Sequence, residues 1–109
     1  MLFILFVIKV AIPYWQGRIS PVFDAARELA IFEFEPGSRG LRQDMDLTCE
    51  DFGFRAAQLS QAGVNVLICG AISRPLELAV SAMGIEVISQ ICGTVNEVFA
   101  AFKEGRLLQ

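Results

Sequence analysis

From Val64 to Phe102 the chain alternates twice between a short apolar run and an amphipathic segment, and this leaves few folds open. Val64–Cys69 (VNVLIC) reads as a buried strand that follows the helix-stopping Gly63. Ser73 can cap a helix with Pro75 in its first turn, running to Met83 and stopping at Gly84. Ile85–Ile88 reads as a second short buried strand. Thr94 and Glu97 form a capping box for a last helix. Its apolar face is Val95, Val98, Phe99 and Phe102, and Gly105 ends it. A βαβα run of this kind demands parallel strands with right-handed crossovers.

The first half reads differently. Val7–Ile12 is strand one, ended by Pro13, and a turn-rich loop spans Tyr14–Pro21. Ala26–Glu35 carries the alternation IFEFE and supplies strand two. Pro36, Gly37 and Gly40 mark a hairpin connection to an edge strand three at Leu41–Leu47. Helix one spans Glu50–Ala62, with Thr48 and Asp51 as a capping-box-like start and Phe52, Ala56 and Leu59 on one face. The order is β-β-β-α-β-α-β-α, an α/β fold with a mixed sheet and helices on its faces. Met1–Phe6 is an apolar extension: an overlong strand end, a contact that makes a homo-oligomer, or a misplaced start. Lys9 closes the apolar run after eight residues, too short to span a bilayer, so no membrane partner is expected.

Length and charge narrow the function. The 109 residues suggest one domain over 1–109, and a 54% apolar fraction can fill its core. A formal net charge of −3 argues against a nucleic-acid surface. The chain has no histidine, which removes the usual neutral-pH base and the commonest zinc ligand. Its three cysteines, Cys49, Cys69 and Cys92, are widely spaced with no CxxC, so a reducing cytoplasm is expected rather than a disulfide scaffold. No nucleotide loop, triad or dinucleotide fingerprint is present, and an enzyme is the weakest functional class.

Four segments in order, KVAIP at Lys9–Pro13, GRISPVFDAAR at Gly17–Arg27, GVNVLICGAISRPL at Gly63–Leu76 and GIEV at Gly84–Val87, resemble the dinitrogenase iron-molybdenum cofactor biosynthesis family. The resemblance covers about Lys9–Phe102. It implies a small ribonuclease-H-like, three-layer α/β/α fold with a five-stranded mixed sheet, order 3-2-1-4-5, strand two antiparallel. It also implies carriage of metal–sulfur clusters, iron–molybdenum–sulfur, iron–sulfur or molybdenum–copper sulfide as in the orange proteins, with cluster donor and acceptor proteins as partners. Some family members use a histidine ligand that this chain lacks. Ribonuclease-type catalysis is not implied, because strand one carries no carboxylate for a metal pair.

Ligands of open α/β sheets sit beyond the carboxyl ends of parallel strands, where the strand order reverses. Here that crevice falls between Pro13–Phe23 and Cys69–Ser73. Its expected cofactor-binding residues are Arg18, Ser20, Cys69, Gly70, Ser73 and Arg74, and its expected metal-binding thiols are Cys69 and Cys92. The arginines would neutralise an anionic cluster. The serines would donate hydrogen bonds, Gly70 would let backbone approach the ligand, and the helix start at Ser73 would offer free N–H groups. Each has an ordinary structural alternative: Cys69 as a small core hydrophobe, the serines as turn and cap, the arginines as solvated charges. Tyr14 and Trp15 wall the pocket, meet a partner or simply pack; Asp24 reads as a turn acid. The competing functional reading is a cofactor-free protein-interaction or regulatory module.

Overall fold

The computed structural model of the protein describes residues 7–35, 41–47 and 51–106. Its strands are β1 (Ile8–Trp15), β2 (Arg18–Ile19), β3 (Glu28–Phe34), β4 (Leu41–Asp46), β5 (Val66–Ile68) and β6 (Glu86–Ile88). Its helices are α1 (Phe52–Gln61), α2 (Arg74–Ala82) and α3 (Val95–Lys103), with a 3-10 turn at Phe23–Ala25. The sheet order is β4-β3-β1-β5-β6, and β2 pairs with β1 off that path. Strands one to five of the sequence reading are β1, β3, β4, β5 and β6, so the expected 3-2-1-4-5 order is present with one short strand added. β3 runs antiparallel to both neighbours, whereas β1, β5 and β6 are mutually parallel.

Strand pleating divides the core in two. Ala11, Leu29, Ile31 and Leu67 point to one face and pack with Ala56 and Leu59 of α1 and Leu76 and Val80 of α2. Val10, Ile12, Ala30, Phe32, Val66 and Ile68 point to the other and pack with Val95, Val98 and Phe99 of α3. Phe99 stacks on Phe32 with ring centroids 4.0 Å apart and meets Phe34 edge-on at 6.3 Å. Each such ring pair is worth about 0.5–1.5 kcal/mol beyond its buried area. The result is the three-layer α/β/α arrangement.

Three local expectations change. Strand one does not stop at Pro13 but continues through Tyr14 to Trp15. The Pro13 carbonyl accepts the Ser20 N–H at 2.9 Å, so its backbone edge faces β2 and the missing N–H breaks no bond to β3. The expected loop is a two-residue hairpin at Gln16–Gly17, both with positive φ (51° and 79°), pairing Trp15 with Arg18. Helix one begins later than expected, capped by the Asp51 carboxylate accepting from Phe54 N at 2.9 Å; Thr48 and the 36–40 turn lie outside the described residues. Its inward face is also different: Phe52 is exposed, and Arg55 is buried beside Ala56 and Leu59. Ser73, Pro75 and the Thr94–Glu97 capping box stand where the sequence placed them.

Candidate functional site

The carboxyl ends of β1, β5 and β6 open on three loops tied together by backbone hydrogen bonds. Ile19 N donates to Gly93 O at 2.9 Å and Val95 N to Gly17 O at 3.0 Å, joining the hairpin to the start of α3. Gln90 N donates to Gly70 O at 2.9 Å and Ile91 N to Cys69 O at 3.0 Å, joining the loops after β5 and β6. Phe23 N donates to Ala71 O and Ala71 N to Pro21 O, each at 2.8 Å. Between these loops lies a crevice of about 380 Å³, lined by Arg18, Ile19, Pro21, Gly70, Ala71 and residues 90–93. It is at the reversal of strand order, where such sheets bind ligands.

Of the expected residues, the fold brings Arg18, Gly70 and Cys92 into this crevice. Arg18 and Cys92 are exposed, and Cys92 is a free thiol. Arg18 is near enough to Glu97 to add to the lowering of that carboxyl, which is caused first by the Thr94 side-chain hydrogen bond. Gln90 holds a positive φ of 63° and Gly93 one of 132°, so the Gln90–Gly93 turn bends tightly around the crevice.

Gly70 is needed by the chain itself. A Cβ there would lie 2.6 Å from Pro21 O and 2.8 Å from Ser20 O, so the Ser20–Pro21 backbone makes the close approach that the sequence reading assigned to a ligand. Ser20 is 4% exposed and borders a neighbouring groove instead of the crevice.

The remaining residues go elsewhere. Cys69 is fully buried and belongs to the core packed under α1 and α2. Burial pushes its thiol up from 9.0 to about 12, and the Glu77 and Asp24 carboxylates add to the rise. A protonated sulfur inside a core is a packing group, so the expectation of a Cys69 thiolate in the crevice gives way to the core-hydrophobe reading. The two thiols therefore do not form a shared ligand pair in this conformation. Ser73 caps α2, its Oγ accepting from Leu76 N at 3.4 Å. Its own N–H donates to Asp24 Oδ1 at 2.9 Å. The start of α2 thus already holds an anion, the Asp24 carboxylate, and the expected free N–H at Ser73 is taken. Arg74 is exposed on α2, pairs with Glu77 at 3.9 Å and does not line the crevice. Cys49 lies outside the described residues.

Arg55 is the residue that sequence reasoning missed. Only 1% exposed, it donates from Nη1 to Phe23 O at 3.1 Å and Ala26 O at 2.6 Å, and its guanidinium stands 5.6 Å from the Phe23 ring. It thereby holds the 3-10 turn that carries Asp24 against α2. The available signal was its position, one residue before Ala56 and four before Leu59, on the apolar face of helix one.

The fold and crevice define a small doubly wound α/β protein with a ligand-type cleft at the switch in strand order. The chain belongs to the dinitrogenase iron-molybdenum cofactor family, whose sequence profile matches residues 7–105. Three solved structures share the fold. The protein PH0822 superposes with a TM-score of 0.85 at 21% identity, covering 93% of each chain. The apo form of the orange protein from Desulfovibrio gigas gives 0.77 at 21% identity, covering 93% of this chain and 91% of that one. A NifB-like protein from Thermotoga gives 0.74 at 26% identity, covering 94% and 92%. Among curated proteins none matches the sequence. No helix of the described residues is long and apolar enough to cross a membrane.

Proposed function

We propose that this chain binds and carries an anionic metal–sulfur cluster, without catalysis, in the crevice between β1 and β5. The observation that carries the reading is the crevice at the strand-order reversal, with Arg18 and the free thiol of Cys92 on its walls. Arg18 offsets the cluster's negative charge, and Cys92 offers a soft donor to an exchangeable metal position. Among the described residues no three His, Cys, Asp or Glu side chains come together to hold a bare ion. That donor set suits a preassembled cluster, whose metals are already bonded to sulfide, better than a free metal. Membership of the cofactor family supports the same cargo class, be it iron–molybdenum–sulfur, iron–sulfur or molybdenum–copper sulfide. Cluster donor and acceptor proteins in the cytoplasm complete the reading.

The test is anaerobic loading of the purified protein with tetrathiomolybdate and copper(I), and separately with iron and sulfide. Metal content, acid-labile sulfide and sulfur-to-metal charge-transfer absorption are then measured. Stoichiometric uptake is expected, lost or sharply weakened in Arg18→Ala and Cys92→Ser and retained in Cys69→Ala. Failure of the wild-type protein to take up any of these species would remove the carrier reading.

A further inference from the structure

Beside the crevice, and separated from it by Pro21, lies a second concavity of about 490 Å³. That volume falls in the ~300–1,000 Å³ range of small-molecule sites. Its walls are apolar and partly aromatic: Tyr14 and Trp15 from the end of β1, with Pro21 and Val22 opposite. Trp15 is 57% exposed and Val22 42%, unusual for large apolar groups around a single groove. Tyr14 is held in place. Its hydroxyl donates to Asp44 Oδ2 at 2.8 Å, Arg42 Nε donates to Asp44 Oδ1 at 2.8 Å, and the Arg42 guanidinium lies 5.0 Å from the Tyr14 ring.

Two polar groups line this groove with their side chains unused. Ser20 is 96% buried by its 4% exposure, yet its hydroxyl makes no hydrogen bond with any described residue. Its oxygen is not sealed off, so the access it keeps is to water or a ligand in the groove that it lines. Arg27, also on the lining, forms no ion pair among the described residues. Apolar aromatic walls, one hydroxyl open to the groove and one exposed guanidinium at its edge suit a flat apolar body with a hydrogen-bonding substituent and a negative end.

We propose that this groove binds a hydroxylated aromatic carboxylate, its ring against Tyr14 and Trp15, its carboxylate on Arg27 and its hydroxyl on Ser20. The site is distinct from the cargo crevice and does not rest on the carrier reading.

Trp15 is the sole tryptophan, so the protein has one indole N–H resonance and it reports directly on the groove. The full-length protein is titrated with 3-hydroxy-2-naphthoate, 2-naphthoate and 2-naphthol, following that resonance and the heat of binding. Saturable displacement of the indole signal by 3-hydroxy-2-naphthoate is expected, with 2-naphthol binding about tenfold more weakly for want of the charged hydrogen bonds. Arg27→Gln should bring those two probes within about twofold of each other, and Ser20→Ala should do the same for 3-hydroxy-2-naphthoate and 2-naphthoate. Arg27 is exposed, so its variant tests the proposal even if Ser20→Ala folds poorly. Arg18→Ala should leave naphthoate binding unchanged. No saturable shift, or equal affinity for the charged and neutral probes, would overturn the proposal. So would an indole shift produced only by thiomolybdate, or one that follows protein concentration alone and so marks a second copy in the groove.

Discussion

Cys69 and Cys92 follow neighbouring parallel strands at the same end of the sheet, yet one is fully buried and the other exposed. The difference comes from how far each lies from its strand. Cys69 directly follows β5, so the pleat still sets its direction, and it shares the α1–α2 face with Leu67 two residues earlier. Cys92 is four residues past β6, beyond the positive-φ turn at Gln90, where strand parity no longer applies. A thiol at a strand end is thus packing or chemistry according to parity, and soft-ligand character alone does not decide it.

The same contrast holds for two arginines. Arg55 is enclosed and donates to the Phe23 and Ala26 carbonyls, whereas Arg18 is exposed on the crevice wall. Five substitutions sharpen or break these comparisons, and the largest effect belongs to Gly70, which lies between the buried and open regions. Gly70→Ala should cost about 2–4 kcal/mol, because backbone oxygens stand where the new methyl must go. Urea unfolding would measure it; a loss near zero would mean that the Ser20–Pro21 loop yields freely and does not frame the crevice.

Next comes Arg55→Met, expected to destabilise by about 2–3 kcal/mol, since it strands the Phe23 and Ala26 carbonyls in the interior. Arg18→Ala should change stability by no more than about 0.5 kcal/mol while removing or sharply weakening the proposed cluster uptake. Equal thermal shifts for the two variants would erase the distinction between a structural and a site arginine.

Cys69 should reveal itself through pH. Its folded pKa of about 12 lies above the ordinary 9.0, so the folded state keeps a proton that the unfolded chain releases. Stability from this group is complete below pH 9.0 and is lost as pH rises toward about 12. Comparing denaturation midpoints of wild type and Cys69→Ala from pH 8 to 11 would show a steeper alkaline decline in wild type, reaching about 1–3 kcal/mol. Parallel declines would place the thiol in a wetter setting. Cys92→Ser should have the smallest effect on stability, within about 0.5 kcal/mol. In the native protein, alkylation mapped by peptide mass should find Cys92 labelled long before Cys69; similar rates at both would dissolve the comparison.

Much of the fold was legible because it rests on short-range signals. Ser73 with Pro75, and Thr94 with Glu97, mark helix starts through bonds made within one turn. IFEFE shows strand two through its alternation, and the apolar run at Val66–Ile68 shows a strand covered on both faces. The hairpin at Gln16–Gly17 escaped because Gln-Gly is a weak form of the Asn-Gly signal, and because Pro13 reads locally as a strand end. At the site, Arg18 and Cys92 were legible as charge and sulfur near a switch point. The role of Asp24 was not, since its partner, Ser73 N, is 49 residues away.

The sequence by itself determined the order of the five main strands and three helices and the parallel half of the sheet, which follow from periodicity and caps, and the family, which follows from ordered local motifs. Only the tertiary structure decided that Cys69 belongs to the core, that Asp24 takes the N–H at the start of α2, that Gly70 yields to Pro21 and that Arg55 sits inside. Those outcomes depend on which segments meet across the sheet. Contacts between residues distant in sequence leave no periodic trace in either partner, because each side chain's free energy is set by neighbours that the chain brings together only on folding.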